Sequence, residues 1–218
     1  MFFRKSRRES KAKLEHKLYL AKETPEPIFD LSDCGIRDVP QGIFSICRVF
    51  LKVCLRLDSN NLASLSGGGN LTELRLLKIL NISHNNFSHL PDELGALVNL
   101  QELHAILDVS YNNLKQLPED IGDLVSLKKL DLIHNNLKQL PTSICGAQRL
   151  THLTLDTAHF EYPPQEVVER GLEALMQYIC DDTGIEYKKV ENLSDVLVSM
   201  EKSESYFDED DKQLQVMK

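Results

Sequence analysis

From Leu127 to Pro141 the chain sets Leu127, Leu130, Leu132, Asn135, Leu137, Leu140 and Pro141 in a fixed frame. The frame recurs upstream as Leu107, Val109, Asn112, Leu114, Leu117 and Pro118, so Asn112 and Asn135 stand one period of 23 residues apart. A third copy reads Leu77, Leu80, Ile82, Asn85, Phe87, Leu90 and Pro91. A fixed period of this length constrains the fold more than composition does. Each unit is one small supersecondary element that cannot bury its apolar face alone, so neighbours must stack. Leu130 and Leu132 are two apart, which puts both on the inward side of a short strand. Asn135 follows at a turn whose backbone groups have left the strand ladder. Its amide both donates and accepts, and stacked copies at Cys34, Asn60, Asn85, Asn112 and Asn135 are expected to form a structural ladder. A buried group left unsatisfied there would cost roughly 1–3 kcal/mol. Pro141 ends regular structure by removing a donor and fixing φ.

Period and lettering together are those of leucine-rich repeats. The expected fold is an α/β solenoid of about six repeats, with a curved parallel sheet on its concave face and helical caps at both ends. Phe29, Leu31, Cys34, Ile36, Val39 and Pro40 form a first unit, with Cys in place of Asn. Leu55, Leu57, Asn60, Leu62 and Leu65 form a second, which lacks the Pro and carries Lys52 where Leu is expected. The last reads Leu150, Leu153, Leu155, Ala158, Phe160, Pro163 and Pro164, and Ala158 breaks the ladder beside a cap. Gly67-Gly68-Gly69 reads as a flexible turn on the convex side of the second repeat. The stretch Leu100 to Val109 holds four residues too many around His104. A strand starting at Leu107 rather than Leu103 keeps Val109 and Asn112 in register and bulges the surplus outward.

The composition divides the chain into residues 1–27 (a basic segment and capping helix), 28–164 (the solenoid), 165–187 (a C-terminal capping helix) and 188–218 (an acidic, disordered tail). Ser10 to Lys22 places Leu14, Leu18 and Ala21 at helical spacing, suited to covering the open edge of the sheet. Val168, Leu172, Leu175 and Ile179 recur similarly, predicting one helix over 165–180 that Gly184 stops. The basic residues Arg4, Lys5, Arg7, Arg8, Lys11, Lys13 and Lys17 allow a second role, a weak contact with a membrane surface. A net charge of -8 argues against a general nucleic-acid binder. The opening Met-Phe-Phe runs straight into charge, and no later stretch approaches a membrane span. Five scattered cysteines suit a reducing, cytoplasmic setting. Asn70, Asn81, Asn86 and Asn192 begin glycosylation triplets, read as chance matches in an Asn-rich repeat.

Residues between the inward leucines should face out from the concave side. Alignment gives one column of Arg56, Asn81, Asp108, Asp131 and Thr154. The next is Asp58, Ser83, Ser110, Ile133 and Asp156, and a third is Ser59, His84, Tyr111, His134 and Thr157. From these, Arg56, Asp58, Asn81, His84, Asp108, Tyr111, Asp131, His134 and Asp156 are the candidate partner-binding residues. Tyr111 leads, because an aromatic supplies large contact area at small entropic cost. His84 and His134 lie two repeats apart, about 10 Å, too far to share one zinc ion. No Cys-x-x-Cys, phosphate-cradling Gly loop or nucleophile elbow occurs. Binding by a monomer, without cofactor, metal or catalysis, is therefore the expected role.

The flanks are more distinctive than the repeats. Phe2-Phe-Arg-Lys, Leu14-Glu-His-Lys-Leu-Tyr-Leu-Ala-Lys-Glu23 and Phe29-Asp-Leu-Ser-Asp-Cys34 precede them. Leu155-Asp-Thr-Ala-His-Phe-Glu-Tyr-Pro-Pro-Gln-Glu-Val167 and Gly184-Ile-Glu-Tyr187 close them. Over residues 1–187 the chain resembles the leucine-rich repeat and sterile alpha motif RING E3 ubiquitin ligases. That resemblance implies the target-binding arm of a ligase of endosomal sorting and antibacterial clearance, as a fragment or short form. Its partners would be ubiquitin-pathway or endosomal-sorting proteins, or a bacterial surface. The spaced Cys/His set of a RING is missing from the sequence. The alternative is a free-standing signalling scaffold resembling the Ras-suppressor type, which shares the Leu-x-x-Leu-Pro repeats.

Overall fold

The computed structural model describes residues 2–97, 105–158 and 160–187. Six short strands, β1 (Ile28–Asp30), β2 (Cys54–Arg56), β3 (Ile79–Asn81), β4 (Ala105–Asp108), β5 (Leu127–Asp131) and β6 (His152–Thr154), form one parallel sheet in chain order. Its central row is Phe29, Leu55, Leu80, Leu107, Leu130 and Leu153, each paired with the next. The first five of these are at most 1% exposed, so the apolar rungs spaced by the repeat form one continuous core.

Each strand returns over the convex side through a helix or 3-10 segment. After β1 this is α2 (Ile43–Val49); α1, the N-terminal helix, is Phe2–Glu23. Later returns are the 3-10 segments Asp92–Ala96, Glu119–Asp123 and Thr142–Gly146. Pro91, Pro118 and Pro141 stand at their N-caps with φ -64°, -68° and -67°. The Pro carbonyls accept the N–H of Leu94, Ile121 and Ile144 at 3.2, 3.1 and 3.1 Å. Proline therefore starts the convex turn as well as ending the strand path, because its fixed φ suits a first helical turn.

The Asn ladder is formed. The Asn85 amide donates to Leu57, Ile82 and Ser83 carbonyls, and its oxygen accepts the Leu62 N–H at 2.9 Å. Asn60 and Asn112 also donate to three carbonyls each, and Asn135 donates to Val109 and Leu132. Every amide thus stitches its own repeat to the preceding one. Cys34, the first rung, accepts nothing of this kind; its N–H donates to Asn60 Oδ1 at 3.0 Å.

Several expectations need correction. The N-terminal helix starts at Phe2 rather than Ser10. The C-terminal cap is two helices, α3 (Gln165–Val168) and α4 (Leu172–Thr183), broken where Gly171 takes φ 94°. Leu175 and Ile179 are buried, while Val168 and Leu172 pack partly covered against the core. Gly67 and Gly68 are close-approach positions rather than a loose turn: a Cβ on Gly68 would lie 2.5 Å from the Phe44 ring, and one on Gly67 2.4 Å from the Val39 carbonyl. The fourth strand starts at Ala105 rather than Leu107; Leu107 keeps the expected register, and the irregularity enters the sheet itself, between Ala105 and Ile106. The surplus around Leu103 and His104, and the acidic tail at 188–218, lie outside the described residues. Lys52 fills its leucine position at 1% exposure, and its ammonium donates to the Thr24 and Glu26 carbonyls. Burial lowers its pKa. All five cysteines are buried free thiols, and burial pushes those of Cys47 and Cys180 up to about 12.

Candidate protein-binding face

Past the ends of β1, β3, β4 and β5 the first N–H still donates to the neighbouring strand, and a side chain takes the N–H after it. Asp30, Asn81, Asp108 and Asp131 accept the N–H two residues on, at 2.7, 2.9, 3.0 and 3.1 Å. These are Asx-type turns, in which a short polar side chain takes the place of a backbone acceptor. The strand pairing places Arg56, Asn81, Asp108, Asp131 and Thr154 in one row, as the repeat frame requires. Much of that row is covered. Asn81 is 3% and Asp108 2% exposed, and Asp58 in the next column is 8% exposed. Burial pushes the Asp108 carboxyl up to about 6 against the stabilising Ser110 N–H, and nearby Asp131 adds to the rise. Arg56 reaches Asp58 at 3.3 Å, and Asp131 accepts the Thr154 hydroxyl at 2.6 Å. Asp156 remains exposed and accepts the His134 N–H at 2.5 Å.

The third column is the outermost. Asp33, Ser59, His84, Tyr111 and His134 all take positive φ, between 48° and 57°. Left-handed backbone is uncommon for residues other than Gly, yet here it repeats five times in succession. The repeat geometry maintains it, because the N–H groups of Ser59, His84 and Tyr111 each donate to a carbonyl of the following repeat at 2.9–3.0 Å. The turn then projects each side chain along the strand-exit edge. The His84 and Tyr111 rings stack with centroids 4.0 Å apart at 13°, and Tyr111 meets His134 at 4.2 Å and 44°. Stacked and tilted rings at these separations attract one another beyond simple area burial. Three exposed rings thus make a continuous strip, with Tyr111 at its centre 43% exposed.

A further concave column escaped the repeat alignment. Ile28, Cys54, Ile79, Ile106, Lys129 and His152 pair across the sheet one residue before the central row. Strand alternation puts them on the concave side, and all but Cys54 are half-buried. Four apolar side chains therefore precede Lys129 and His152, whose imidazole pKa is lowered by burial and then by Lys129. In the sequence its signal is the residue just ahead of each central-row leucine, a position that the repeat frame leaves unspecified. No group of three or more His, Cys, Asp or Glu side chains among the described residues is placed to hold a metal ion. The Tyr111 ring lies between the two imidazoles.

Parallel strands, Asn-stitched turns and Pro-capped convex segments define a leucine-rich-repeat solenoid. Leucine-rich-repeat family models match residues 105–160 and 76–97. Within that class the chain is similar to mouse E3 ubiquitin-protein ligase LRSAM1, at 36% identity over 101 residues. The match covers 44% of this chain but 14% of the ligase, so the chain spans a small part of that relative. Among solved structures, a leucine-rich-repeat protein of Leptospira interrogans superposes with TM-score 0.53 and 31% identity, covering 64% of this chain and 36% of that one. The internalin InlF of Listeria monocytogenes gives TM-score 0.46 at 24% identity, over 60% and 35% of the two chains. No described helix is long and apolar enough to cross a membrane.

Proposed function

We propose that the chain is a cytoplasmic protein-recognition module that binds a polypeptide partner through its concave face. The observation that carries this reading is the His84–Tyr111–His134 strip, three exposed rings stacked along one edge. Preorganised aromatics bind well because little side-chain freedom remains to be lost. The candidate set remains Arg56, Asp58, Asn81, His84, Asp108, Tyr111, Asp131, His134 and Asp156. Exposed rings and Asp156 serve as contacts, buried Asn81 and Asp108 hold the turns that aim them, and Asp58 accepts from Arg56 and the Ser59 hydroxyl. The apolar column from Ile28 to Ile106 extends the same face.

Likeness to the mouse E3 ubiquitin-protein ligase supports a finer reading, the target-binding arm of such a ligase; endosomal sorting or clearance of intracellular bacteria is the setting that the resemblance of the flanking segments implies. A chain of this kind selects the target and leaves ubiquitin transfer to a RING elsewhere. Comparative pull-down with the wild-type chain and a Tyr111→Ala variant tests the concave face, after circular dichroism shows matching spectra. Tyr111 is exposed, so the variant should fold normally and lose its partner at least tenfold. Identical partner profiles would overturn the face assignment.

A further inference from the structure

One edge of the sheet is covered and the other is not. Beside β1 lies α1: Leu14 and Leu18 pack on the first repeat, and Lys17 reaches Asp30 at 2.9 Å and the Ser32 carbonyl at 2.8 Å. Under that cover Phe29 and Leu31 are fully buried. The C-terminal helices instead pack on one another and on the convex segment Thr142–Gly146. Leu153 and Leu155 stay only partly covered, although their counterparts Leu130 and Leu132 are each 1% exposed. The backbone is open there as well. Leu31, Leu57, Ile82, Val109 and Leu132 each donate their N–H to a carbonyl of the next repeat, at 2.8–3.0 Å. Leu155 is next in that series, and among the described residues no strand lies beyond β6. Backbone groups alternate sides along a strand. Those of Thr154 turn to β5, where its carbonyl accepts the Leu132 N–H, so those of Leu153 and Leu155 face the open edge.

Such an edge is answered by backbone, because an extended chain carries donors and acceptors at matching intervals. The side chains specify which chain. The edge reads His152-Leu153-Thr154-Leu155-Asp156, a run that complements itself when reversed. Set antiparallel on a two-fold axis through Thr154, it brings Leu153 opposite Leu155 and His152 opposite Asp156, once in each half. The backbone parity agrees. Leu153 and the opposing Leu155 would exchange both N–H···O bonds, and Thr154 would meet its own copy as a non-hydrogen-bonded pair. His152 Nδ1 lies 2.9 Å from the Thr151 hydroxyl, which as donor leaves the ring proton on Nε2. Asp156 is exposed; its Oδ2 accepts the His134 N–H, and its Oδ1 has no partner among the described residues.

We infer that two copies of this chain associate edge to edge through β6, antiparallel about Thr154. The opposed leucines cover one another, and on the concave side the imidazole of each copy donates to the carboxylate of the other. One sheet then runs through both copies. Because strand direction reverses across the axis, the two His84–Tyr111–His134 strips fall on opposite long edges of that sheet. A dimer so built holds a repeated target more firmly than one copy does. The single-chain state expected from the sequence becomes the dilute limit. The inference is independent of the partner reading above.

Sedimentation equilibrium of the full chain over a wide concentration range, joined to cross-linking of a Thr154→Cys variant, tests it. The wild type should pass from monomer to dimer. Thr154 is exposed and all five native thiols are buried, so a thiol placed at 154 reports alone. Across the axis the two Cα atoms would lie about 4.5 Å apart, within disulfide reach, and mild oxidation should yield a covalent dimer. Thr151→Cys, also exposed but about 20 Å from its mate in this register, should stay uncoupled. His152→Asp should weaken the dimer about tenfold by setting carboxylate against carboxylate, and adding Asp156→His should restore it. A wild type that stays monomeric throughout overturns the inference, and the edge then belongs to a partner's strand or to residues 188–218. A dimer that couples equally well through position 151, or that the exchanged pair does not rescue, overturns it too.

Discussion

Asn81 and Asp108 occupy equivalent positions in adjoining strands and make the same bond to the N–H two residues on. Only Asp108 carries a charge into that buried place. Its carboxyl ionises at about 6 in the folded chain against 3.8 ordinarily. A raised carboxyl pKa means the folded state holds its proton more tightly than the unfolded one. The resulting penalty is absent below pH 3.8, grows as pH rises and is complete above about 6. Its size is on the order of 2–3 kcal/mol. Asp108→Asn should therefore gain about 1–3 kcal/mol at pH 7 and little at pH 3.5, measured by urea unfolding at both pH values. An equal change at both would show that burial is not the cause. The alternation of inward and outward residues was legible in the sequence, and so were His84, Tyr111 and His134 as neighbours. That Asn81, Asp108 and Asp58 are covered was not, since a frame gives register but not what the adjoining rungs shade.

At the scale of elements, proline and glycine set how closely the convex turns pack. Each Pro starts a 3-10 segment, and these segments stack against one another along the outer face. Gly122 lies where a Cβ would come 1.9 Å from the Ser143 carbonyl oxygen, in the next segment. Backbone cannot move aside as a side chain can. Gly122→Ala should destabilise by about 3 kcal/mol, readable as a lower denaturant midpoint; a change under about 0.5 kcal/mol would mean the segments slide freely. The strands and their register were readable because leucine spacing fixes them. The break at Gly171 was hidden, because Val168 and Leu172 keep helical spacing across it. Gly67-Gly68-Gly69 misled for a related reason: glycine permits both freedom and close approach, and only Phe44 and Val39 decide between them.

Across the whole molecule, the two ends are closed by different chemistry. Helix α1 packs Leu14, Leu18 and Ala21 on the first repeat and adds Lys17 on Asp30 at 2.9 Å. At the other end Leu175, Met176, Ile179 and Cys180 of α4 cover the last repeats, each at most 1% exposed. There the amide stitching has run out at Ala158, and β6 is only half-covered. A solenoid unfolds by loss of neighbours, so this end should open first. The sulfurs make the chain its own recorder of that order. Cys34, Cys47 and Cys54 lie in the first two repeats, Cys145 and Cys180 at the far end, and none between. Because all five are buried, a thiol reagent reacts only with whichever end has opened. Mass spectrometry during slow labelling should find Cys145 and Cys180 modified before the other three. Simultaneous labelling would instead describe a rod that melts as a single unit, with no fraying end for a protease or a chaperone to grip.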